Sequence, residues 1–342
     1  MERRHFIKTV TAGSVGMTMA GNSFSTVDFI SSQKKRIGII GLDTSHSIAF
    51  TKALNDPSAG SEFAGFRVVA AYPKGSNDIK SSVDRIPGYT EEIKKLGVDI
   101  VNSIEELLTG VDAILLETND GRIHLEQALP AFRAGKRMFI DKPIAASLTD
   151  AIAIFNASKF YNVPVFSSSS LRYLPGIKDI KNGSVGRIIG ADTYSPATIE
   201  KSHPDLFWYG IHGVESLFTV MGTGCRTVTR IHTEGTDMVA GTWSDNRIGT
   251  FRGIRSGKGD YGGTVFGEKG IADLGKYSGY NPLLEQIISF FQSGNPPVDQ
   301  NETIEIFAFM AAAEESKKKG GEPVEIKKVL QSATAAAGKI KF

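Results

Sequence analysis

The pattern of hydrophobic and polar positions along the chain changes near residue 145. Before that point, short continuous apolar runs alternate with segments whose apolar residues recur at helical spacing. The helical spacing is clearest from His124 to Ala134, and Gly135 follows as the expected C-terminal cap. The predicted strands are Arg36–Ile40, Phe66–Tyr72, Val111–Leu116 and Arg137–Ile140. Continuously apolar strands separated by helices predict an α/β domain with a doubly wound parallel sheet.

After residue 145, a helix at 149–161 and a strand at Val163–Phe166 lead into strand-like runs with little between them. Ser244–Arg247 joins two of these runs as a hairpin would. Further strands are predicted at Arg187–Tyr194, Thr227–His232, Met238–Trp243, Ile248–Arg252 and Gly263–Phe266, and helices near 210–221, 282–293 and 302–318. Neighbouring strands predict an α+β domain with an open, largely antiparallel sheet and helices on one face. The two predicted domains are residues 34–145 and 146–342.

The first 30 residues have the composition of an export signal. Arg3 and Arg4 precede Phe6, Ile7 and Lys8, and a weakly apolar stretch rich in small residues follows. This order is similar to the twin-arginine signal of bacteria, which directs folded proteins across the inner membrane. We expect a signal peptide over residues 1–30 and a periplasmic protein. The alternative is a disordered basic tail on a cytosolic protein.

The composition of the chain limits the classes of molecule that it can bind. The 342 residues carry 39 Lys and Arg against 37 Asp and Glu, and the formal charge of +2 gives no electrostatic case for a nucleic acid. No apolar run has the length of a membrane span. Cys225 is the only cysteine, which excludes a disulfide framework and a cysteine-based zinc site, and no residue is assigned to a metal. A small molecule is the expected partner.

Four motifs occur in a fixed order after residue 34. The first is Ile37-Gly38-Ile39-Ile40-Gly41, and the second runs from Asp112 to Pro143 and contains Glu117, Thr118, Asn119, His124 and Asp141-Lys142-Pro143. The third is Leu171-Arg172-Tyr173 with Gly183 and Gly186-Arg187. The fourth is Tyr209-Gly210-Ile211-His212-Gly213-Val214-Glu215 with Met221-Gly222. In this order and spacing they resemble the Gfo/Idh/MocA family of sugar oxidoreductases, over essentially the whole chain after residue 34. The resemblance implies an N-terminal Rossmann domain that holds NAD or NADP. It also implies a C-terminal sheet domain that helps to bind a sugar.

The resemblance also implies two catalytic residues. The family's Glu-Lys-Pro motif, whose lysine lies by the nicotinamide and the substrate, corresponds to Asp141-Lys142-Pro143. Lys142 follows a predicted parallel strand, where ligands gather, and its ammonium group can stabilise charge on a reacting oxygen. His212 corresponds to the family's general-base histidine, although Trp208 stands where the family has an aspartate.

Further site residues surround His212 in the sequence. Glu215 shares its helix face and is expected to orient or tune the imidazole, while Tyr209 offers a nearby hydroxyl. The aromatic and polar segment around Trp208 suits stacking on the face of a sugar. The predicted substrate contacts are Arg172, Tyr173, Trp208 and His212.

The predicted cofactor loop departs from the usual Gly-x-Gly-x-x-Gly fingerprint. Asp43 and His46 stand at the second and third glycine positions, where we expect a like charge near the pyrophosphate and crowding of helix against strand. Thr44 and Ser45 offer hydroxyls in compensation. Lys74 and Ser76 weakly favour NADP, or belong to a turn that binds nothing. The predicted cofactor contacts are Gly38, Gly41, Asp43, Thr44, Ser45, His46, Lys74, Thr118, Asn119, His124, Asp141 and Lys142.

Three functions are compatible with these residues. The first is an NAD(P)-dependent oxidoreductase that acts on a sugar or polyol, with Lys142 and His212 assisting proton transfer. The second is an NAD-retaining glycoside hydrolase or lyase of the same family, which oxidises its sugar transiently. The third, favoured by Asp43 and Trp208, is a sugar-binding protein without a cofactor. The resemblance further implies a homo-oligomer that pairs through the C-terminal sheet.

Overall fold

Two β-sheets organise residues 35–342, the part of the chain that the computed structural model describes. The predicted export signal over residues 1–30 lies outside the described residues. No helix within residues 35–342 is long and apolar enough to cross a membrane.

The first sheet has six parallel strands in the order β3-β2-β1-β4-β5-β6, which confirms the predicted doubly wound sheet. Its strands are β1 (Arg36–Ile40), β2 (Arg67–Tyr72), β3 (Asp99–Ile100), β4 (Ala113–Leu116), β5 (Arg137–Ile140) and β6 (Val165–Phe166). The sequence pattern missed β3. The strand expected near Val163–Phe166 joins this sheet because Val165 pairs with Met138, so the first sheet extends beyond residue 145.

Helices cover both faces of the first sheet. They are α1 (Ser45–Asn55), α2 (Lys80–Val83), α3 (Ile86–Lys95), α4 (Ile104–Thr109), α5 (His124–Arg133) and α6 (Leu148–Tyr161). Ile39 of β1 packs on one face among residues that include Phe50 of α1. Its neighbour Ile40 packs on the other face, with Phe132 of α5. The strand order reverses between β1 and β4, and ligands of such sheets bind at the carboxyl edge beside this switch point.

The second sheet has seven strands in the order β12-β11-β7-β10-β9-β8-β13. The strands are β7 (Ile188–Pro196), β8 (Cys225–Thr233), β9 (Thr236–Trp243), β10 (Ile248–Ile254), β11 (Gly262–Gly267), β12 (Gly270–Asp273) and β13 (Val324–Glu325). All neighbours are antiparallel except β7 and β10. This confirms the predicted open, largely antiparallel sheet, and β9 and β10 form the predicted hairpin.

The remaining helices are α7 (Pro175–Lys181), α8 (Ile211–Met221), α9 (Asn281–Ser293), α10 (Gln300–Lys318) and α11 (Ile326–Ala337). Every residue of α8 is buried, and a Cβ at Gly213 would lie 2.3 Å from the Phe251 ring, so α8 packs directly on β10. Helix α9 departs from the prediction that these helices share one face of the second sheet. Its Leu283 and Ile287 pack among the core residues of the first sheet instead.

Candidate active site

A cavity of about 390 Å³ lies where the carboxyl edge of the first sheet meets the beginning of α8. Its wall contains side chains from both sheet domains. The lining residues are Thr44, Ser45, His46, Ser81, Arg85, Asn119, Lys142, Ser170, Leu171, Thr198, Trp208, Tyr209, His212, Tyr261, Tyr277 and Tyr280. The structure therefore brings Lys142, His212, Tyr209 and Trp208 together with the loop that follows β1, as the sequence predicted.

Lys142 follows β5 and lies almost buried in the cavity wall. Its Nζ is 3.4 Å from Oδ2 of Asp141. Burial is the largest single influence and lowers the pKa of Lys142, but the acidic groups around it, Asp141 first among them, together outweigh burial and raise the pKa above its ordinary value. The ammonium group therefore stays protonated at neutral pH. It offers the cavity a charged hydrogen-bond donor.

His212 stands in the first turn of α8, across from Lys142 in the lining. Its Nδ1 is 2.7 Å from Oγ of Ser169, which leaves Nε2 as the nitrogen available to a ligand. Burial, and then the positive charge of Lys142, lower the pKa of His212 well below its ordinary value. The imidazole is therefore neutral at neutral pH and able to accept a proton.

Glu215, which was expected to orient or tune the imidazole of His212, is connected to it through Ser169. Its carboxylate accepts hydrogen bonds from the Ser169 backbone N–H at 2.9 Å and from Nε of Arg172 at 2.8 Å. Since the Ser169 hydroxyl bonds to His212, Glu215 reaches the imidazole only through Ser169. Glu215 is a positioning residue in this arrangement. Sequence reasoning missed Ser169, although its serine run directly follows an apolar strand at the carboxyl edge of the parallel sheet.

Arg172 and Tyr173, which were expected to touch the substrate, lie outside the cavity lining. The Arg172 guanidinium is buried between Glu215 and Glu302, at 2.8 and 2.7 Å. The Tyr173 ring packs against the core around the first sheet. Arg172 thus has its charge neutralised within the protein, and the structure gives both residues a role in packing instead.

Aromatic side chains form the wall of the cavity around His212. Trp208 and Tyr209 belong to a π-helical turn, Leu206–Gly210, that leads into α8. The hydroxyls of Tyr209 and Tyr261 are 2.7 Å apart, and the ring of Tyr209 meets that of His212 edge-on at 4.9 Å. Tyr261, Tyr277 and Tyr280 come from loops that no sequence motif marked. Rings that carry hydroxyl groups suit a polyhydroxylated ring with apolar C–H faces.

The loop after β1 is packed tightly against the loop after β4. Gly41 has a φ of +88°, and a Cβ there would lie 2.3 Å from Oγ1 of Thr118. Gly38, also expected at the cofactor, lies inside β1 with Leu107 3.0 Å from where its Cβ would be. Gly41, the first glycine of the fingerprint, therefore lets the two loops pack closely, while Gly38 packs in the core.

Asp43 does not direct its charge at the N-terminus of α1, which corrects the expected repulsion of a pyrophosphate. Its side chain is fully buried and accepts hydrogen bonds from the backbone N–H groups of Ser76 and Asn119, both at 3.0 Å. Burial raises the pKa of this carboxyl. Asp43 thus ties together the loops that follow β1, β2 and β4. The aspartate at the second glycine position of the fingerprint therefore stabilises the loops of the sheet edge.

Two further cofactor predictions change with the loop geometry. The Ser76 hydroxyl donates to Asp120 at 3.0 Å, so it is engaged within the protein rather than free for a 2′-phosphate. Lys74 is exposed at a second cavity of about 450 Å³ on the same sheet edge. His124 is buried, with its ring nitrogens 2.7 Å from the Thr118 carbonyl and 3.1 Å from the Ile144 carbonyl. It holds two loops and does not line either of these cavities.

The N-terminus of α1 has the features of an anion site. Thr44 precedes the helix without capping it, and its buried hydroxyl has no hydrogen-bond partner among the described residues. Thr44 and Ser45 line the cavity together with Arg85 and Asn119. Free N–H groups at a helix N-terminus favour phosphate, and these neighbours add donors of matching type. The residues present therefore fit the phosphate-bearing part of a dinucleotide.

His46 does not crowd α1 against the sheet as expected from the sequence. Its ring lies in the cavity wall with Nδ1 2.9 Å from Oδ1 of Asp141 and meets the Tyr280 ring edge-on at 4.5 Å. The side chain thus fills the space that a glycine would leave open. It also joins α1 to the residue that precedes Lys142.

Comparison with known proteins links the first sheet to an enzyme family. Residues 35–168, which contain β1 to β6, match the sequence model of the Gfo/Idh/MocA oxidoreductase family, described as an NAD-binding Rossmann fold. An uncharacterized oxidoreductase of Streptococcus pneumoniae serotype 4 is 25% identical over 154 residues, 40% of this chain and 41% of the relative. The 1,5-anhydro-D-fructose reductase of Ensifer adhaerens is 33% identical over 100 residues, 28% of this chain and 30% of the relative. The chain thus spans less than half the length of either curated relative.

Solved structures share the fold over both domains. The scyllo-inositol dehydrogenase of Lactobacillus casei, crystallised with NAD(H) and scyllo-inositol, superposes with a TM-score of 0.68 at 16% sequence identity. The superposition covers 86% of this chain and 99% of that chain. The family match thus covers the first sheet, and the shared architecture extends the likeness in fold to the second.

Proposed function

We propose that this chain, whose first domain matches the NAD-binding domain of Gfo/Idh/MocA oxidoreductases, is an NAD(P)-dependent oxidoreductase that acts on a sugar or polyol. One observation carries the proposal. A protonated Lys142 and a neutral His212 line one cavity at the carboxyl edge of the first sheet. A donor that stays charged and an acceptor that stays neutral are the two groups that alcohol oxidation and carbonyl reduction require.

A nicotinamide cofactor, when bound, supplies the hydride chemistry of the reaction. The donors at the start of α1, together with Arg85 and Asn119, are the residues that would hold its phosphates. Lys142 would donate a hydrogen bond to the reacting oxygen and stabilise its negative charge. His212 would take the hydroxyl proton at Nε2 during oxidation and return it during reduction.

The aromatic wall supports a neutral polyhydroxylated substrate. Trp208, Tyr209 and Tyr261 would cover the apolar face of the ring and exclude water, while the tyrosine hydroxyls would bond to its hydroxyl groups. The names of the relatives point the same way, since one is a reductase of anhydrofructose and another a dehydrogenase of scyllo-inositol. Asp43 at the second glycine position was an argument for a binding protein without a cofactor. That argument is weaker because the Asp43 carboxylate is buried among backbone N–H groups.

The proposal is tested by denaturing the purified protein and assaying the supernatant for NAD(H) or NADP(H), followed by titration of the cofactor-free protein. We expect one of the two nucleotides to be released or to bind. With cofactor bound, Lys142→Ala and His212→Ala should each lower turnover of a sugar or polyol by about 100-fold or more. Lys80→Ala, a change to an exposed lysine, is the control. Absence of binding by both nucleotides at millimolar concentration would contradict the proposal.

The proposed place of work is the periplasm, on the strength of Arg3 and Arg4 at the start of the sequence. Export of a folded protein agrees with a cofactor that is loaded in the cytoplasm and retained. Cell fractionation of the wild type and of a variant with both arginines changed to lysine tests this location. The wild type is expected in the periplasmic fraction and the variant in the cytoplasm.

A further inference from the structure

Three side chains of metal-ligand type meet beneath the cavity wall, although the sequence assigned no residue to a metal. His46 comes from the first turn of α1, Glu117 from the end of β4 and Asp141 from the end of β5. Their ligand atoms all lie within 4.8 Å of one another. Nδ1 of His46 is 2.9 Å from Oδ1 of Asp141 and 3.9 Å from Oε2 of Glu117. The parallel sheet brings the three together because all of them stand at its carboxyl edge.

Glu117 provides an independent indication that something is bound there. The residue is completely buried, and neither carboxyl oxygen accepts a well-formed hydrogen bond within residues 35–342; only the Thr44 hydroxyl interacts with it, weakly. Buried polar groups almost always have partners, and a carboxyl group left without a good one is costly. Glu117 therefore has unused acceptor capacity within the cluster.

We propose that Nδ1 of His46, a carboxyl oxygen of Glu117 and Oδ1 of Asp141 bind one divalent transition-metal cation. Ligand bonds of about 2.1 Å place ligand atoms roughly 3–3.5 Å apart in adjacent positions and about 4.2 Å apart in opposite ones, which matches the spacing of the cluster. One imidazole nitrogen with two carboxylate oxygens suits Zn²⁺ or Mn²⁺ better than Mg²⁺ or Ca²⁺, which take oxygen ligands.

The hydrogen bonds around the cluster leave room for this role. Asp141 uses Oδ2 for Lys142, at 3.4 Å, and a cation would replace the hydrogen bond between Oδ1 of Asp141 and Nδ1 of His46. A cation at this point would fix Asp141, and with it the position of the Lys142 ammonium group beside the substrate cavity.

The experiment uses the tag-free full chain after treatment with a chelator. Isothermal titration with Zn²⁺ and with Mn²⁺ should give one site per chain, and Mg²⁺ and Ca²⁺ should bind at least 10-fold more weakly. The proposal does not depend on the redox reaction, so it stands or falls separately from the activity assay.

Glu117→Gln is the decisive variant, since glutamine has the shape of the protonated glutamate but is a poor ligand. We expect it to remain folded and to bind Zn²⁺ at least 10-fold more weakly, and His46→Asn to do the same. Glu268→Gln is the matched control, because this exposed carboxylate pairs with Arg187 beside the second sheet, and it should leave binding intact. No binding of either metal at millimolar concentration would overturn the proposal. Equal binding by Glu117→Gln and the wild type would overturn it as well.

Discussion

At the scale of single residues, the site depends on two buried side chains, Lys142 and His212, of which the first stays protonated and the second stays neutral. Lys142 keeps its proton because Asp141 and the other acidic groups around it together outweigh the effect of burial on its pKa. The imidazole of His212 is hydrogen-bonded to the Ser169 hydroxyl and to no carboxylate within residues 35–342, and burial is the largest influence on its pKa. The positive charge of Lys142 then lowers the pKa of His212 further. Each group therefore helps to keep the other in the state that the proposed reaction needs.

Replacing Lys142 should change the titration of His212 in a defined direction. In Lys142→Met, one cause of the lowered pKa is gone while burial remains, so the pKa of His212 should rise but stay below 6.5. Consequently, the imidazole of the variant becomes protonated at a higher pH than that of the wild type. NMR of histidine-labelled protein measures this, with the spectrum of His212→Asn assigning the resonance.

Lys74→Met is the matched control, since this exposed lysine lies at the other cavity and should leave His212 unchanged. The same argument predicts that wild-type activity falls off only below pH 6.5. The resting imidazole of His212 becomes protonated, and so unable to act as a base, only below its lowered pKa. A His212 pKa that is the same with and without Lys142 would show that the two charges are not coupled.

At the scale of elements, the loops at the carboxyl edge are held to one another by side chains in place of the usual glycines. The Asp43 carboxylate joins the loops after β2 and β4 to the loop after β1. His46 likewise joins the start of α1 to the loop after β5. These ties connect the anion site at α1 to the loop that holds Lys142. The fingerprint positions therefore contribute rigidity at this edge.

Asp43→Gly, which restores the usual fingerprint, should weaken the protein and not improve it. The backbone N–H groups of Ser76 and Asn119 would lose their acceptors, and each such loss costs about 1–3 kcal/mol. We expect the melting temperature to fall by roughly 5 °C or more and cofactor affinity to fall with it. Thermal unfolding and nucleotide titration provide the measurements.

Asp43→Asn keeps the size of the side chain and one acceptor oxygen, so its effect should lie between those of the wild type and of glycine. The charge-based interpretation of the sequence predicts the opposite order, with glycine binding the nucleotide most tightly. If Asp43→Gly binds the nucleotide more tightly than the wild type, the result would therefore favour electrostatic repulsion by Asp43 over its role in holding the loops together.

At the scale of the whole molecule, local patterns predicted the architecture and missed contacts between distant segments. Long apolar strands such as β1 and β5 were visible from their composition, and with them the position of Lys142. Strand β3, which consists of Asp99 and Ile100, carries no such signal. Ser169 is 43 residues from its partner His212, and that pairing depends on how the two sheet domains meet.

The same reason explains the errors at the cofactor loop. From the sequence, Asp43 and His46 stand where a phosphate and a close-packed helix belong, so repulsion and crowding are the natural expectations. Their actual partners are Asn119 and Asp141, 76 and 95 residues away. Side-chain direction at a loop is decided by such partners. The spacing of residues in the sequence does not contain that information.

The outer face of the second sheet carries exposed apolar side chains. Helices α8 and α10 cover one face, while the other exposes apolar and polar side chains of neighbouring strands, Arg252 among them. Ile231 of β8 and Ile248 of β10 are 66% and 56% exposed, and Met238 stands opposite Ile231 on β9. Large exposed apolar patches on sheets are characteristic of interfaces. We predict a homodimer in which two such faces pack together.

Ile231→Lys should dissociate this dimer, because two copies of the charge would be buried in one symmetric interface. We expect the dissociation constant to rise by about 10-fold or more, which sedimentation velocity measures directly. Phe160→Lys is a closely matched control, since Phe160 is 67% exposed but lies on α6, away from the sheet. A wild type that stays monomeric at high concentration would refute the interface, and so would equal weakening by both variants. Because Ile231 lies outside the cavity lining, loss of the dimer should leave cofactor binding unchanged, which separates assembly from the chemistry of the site.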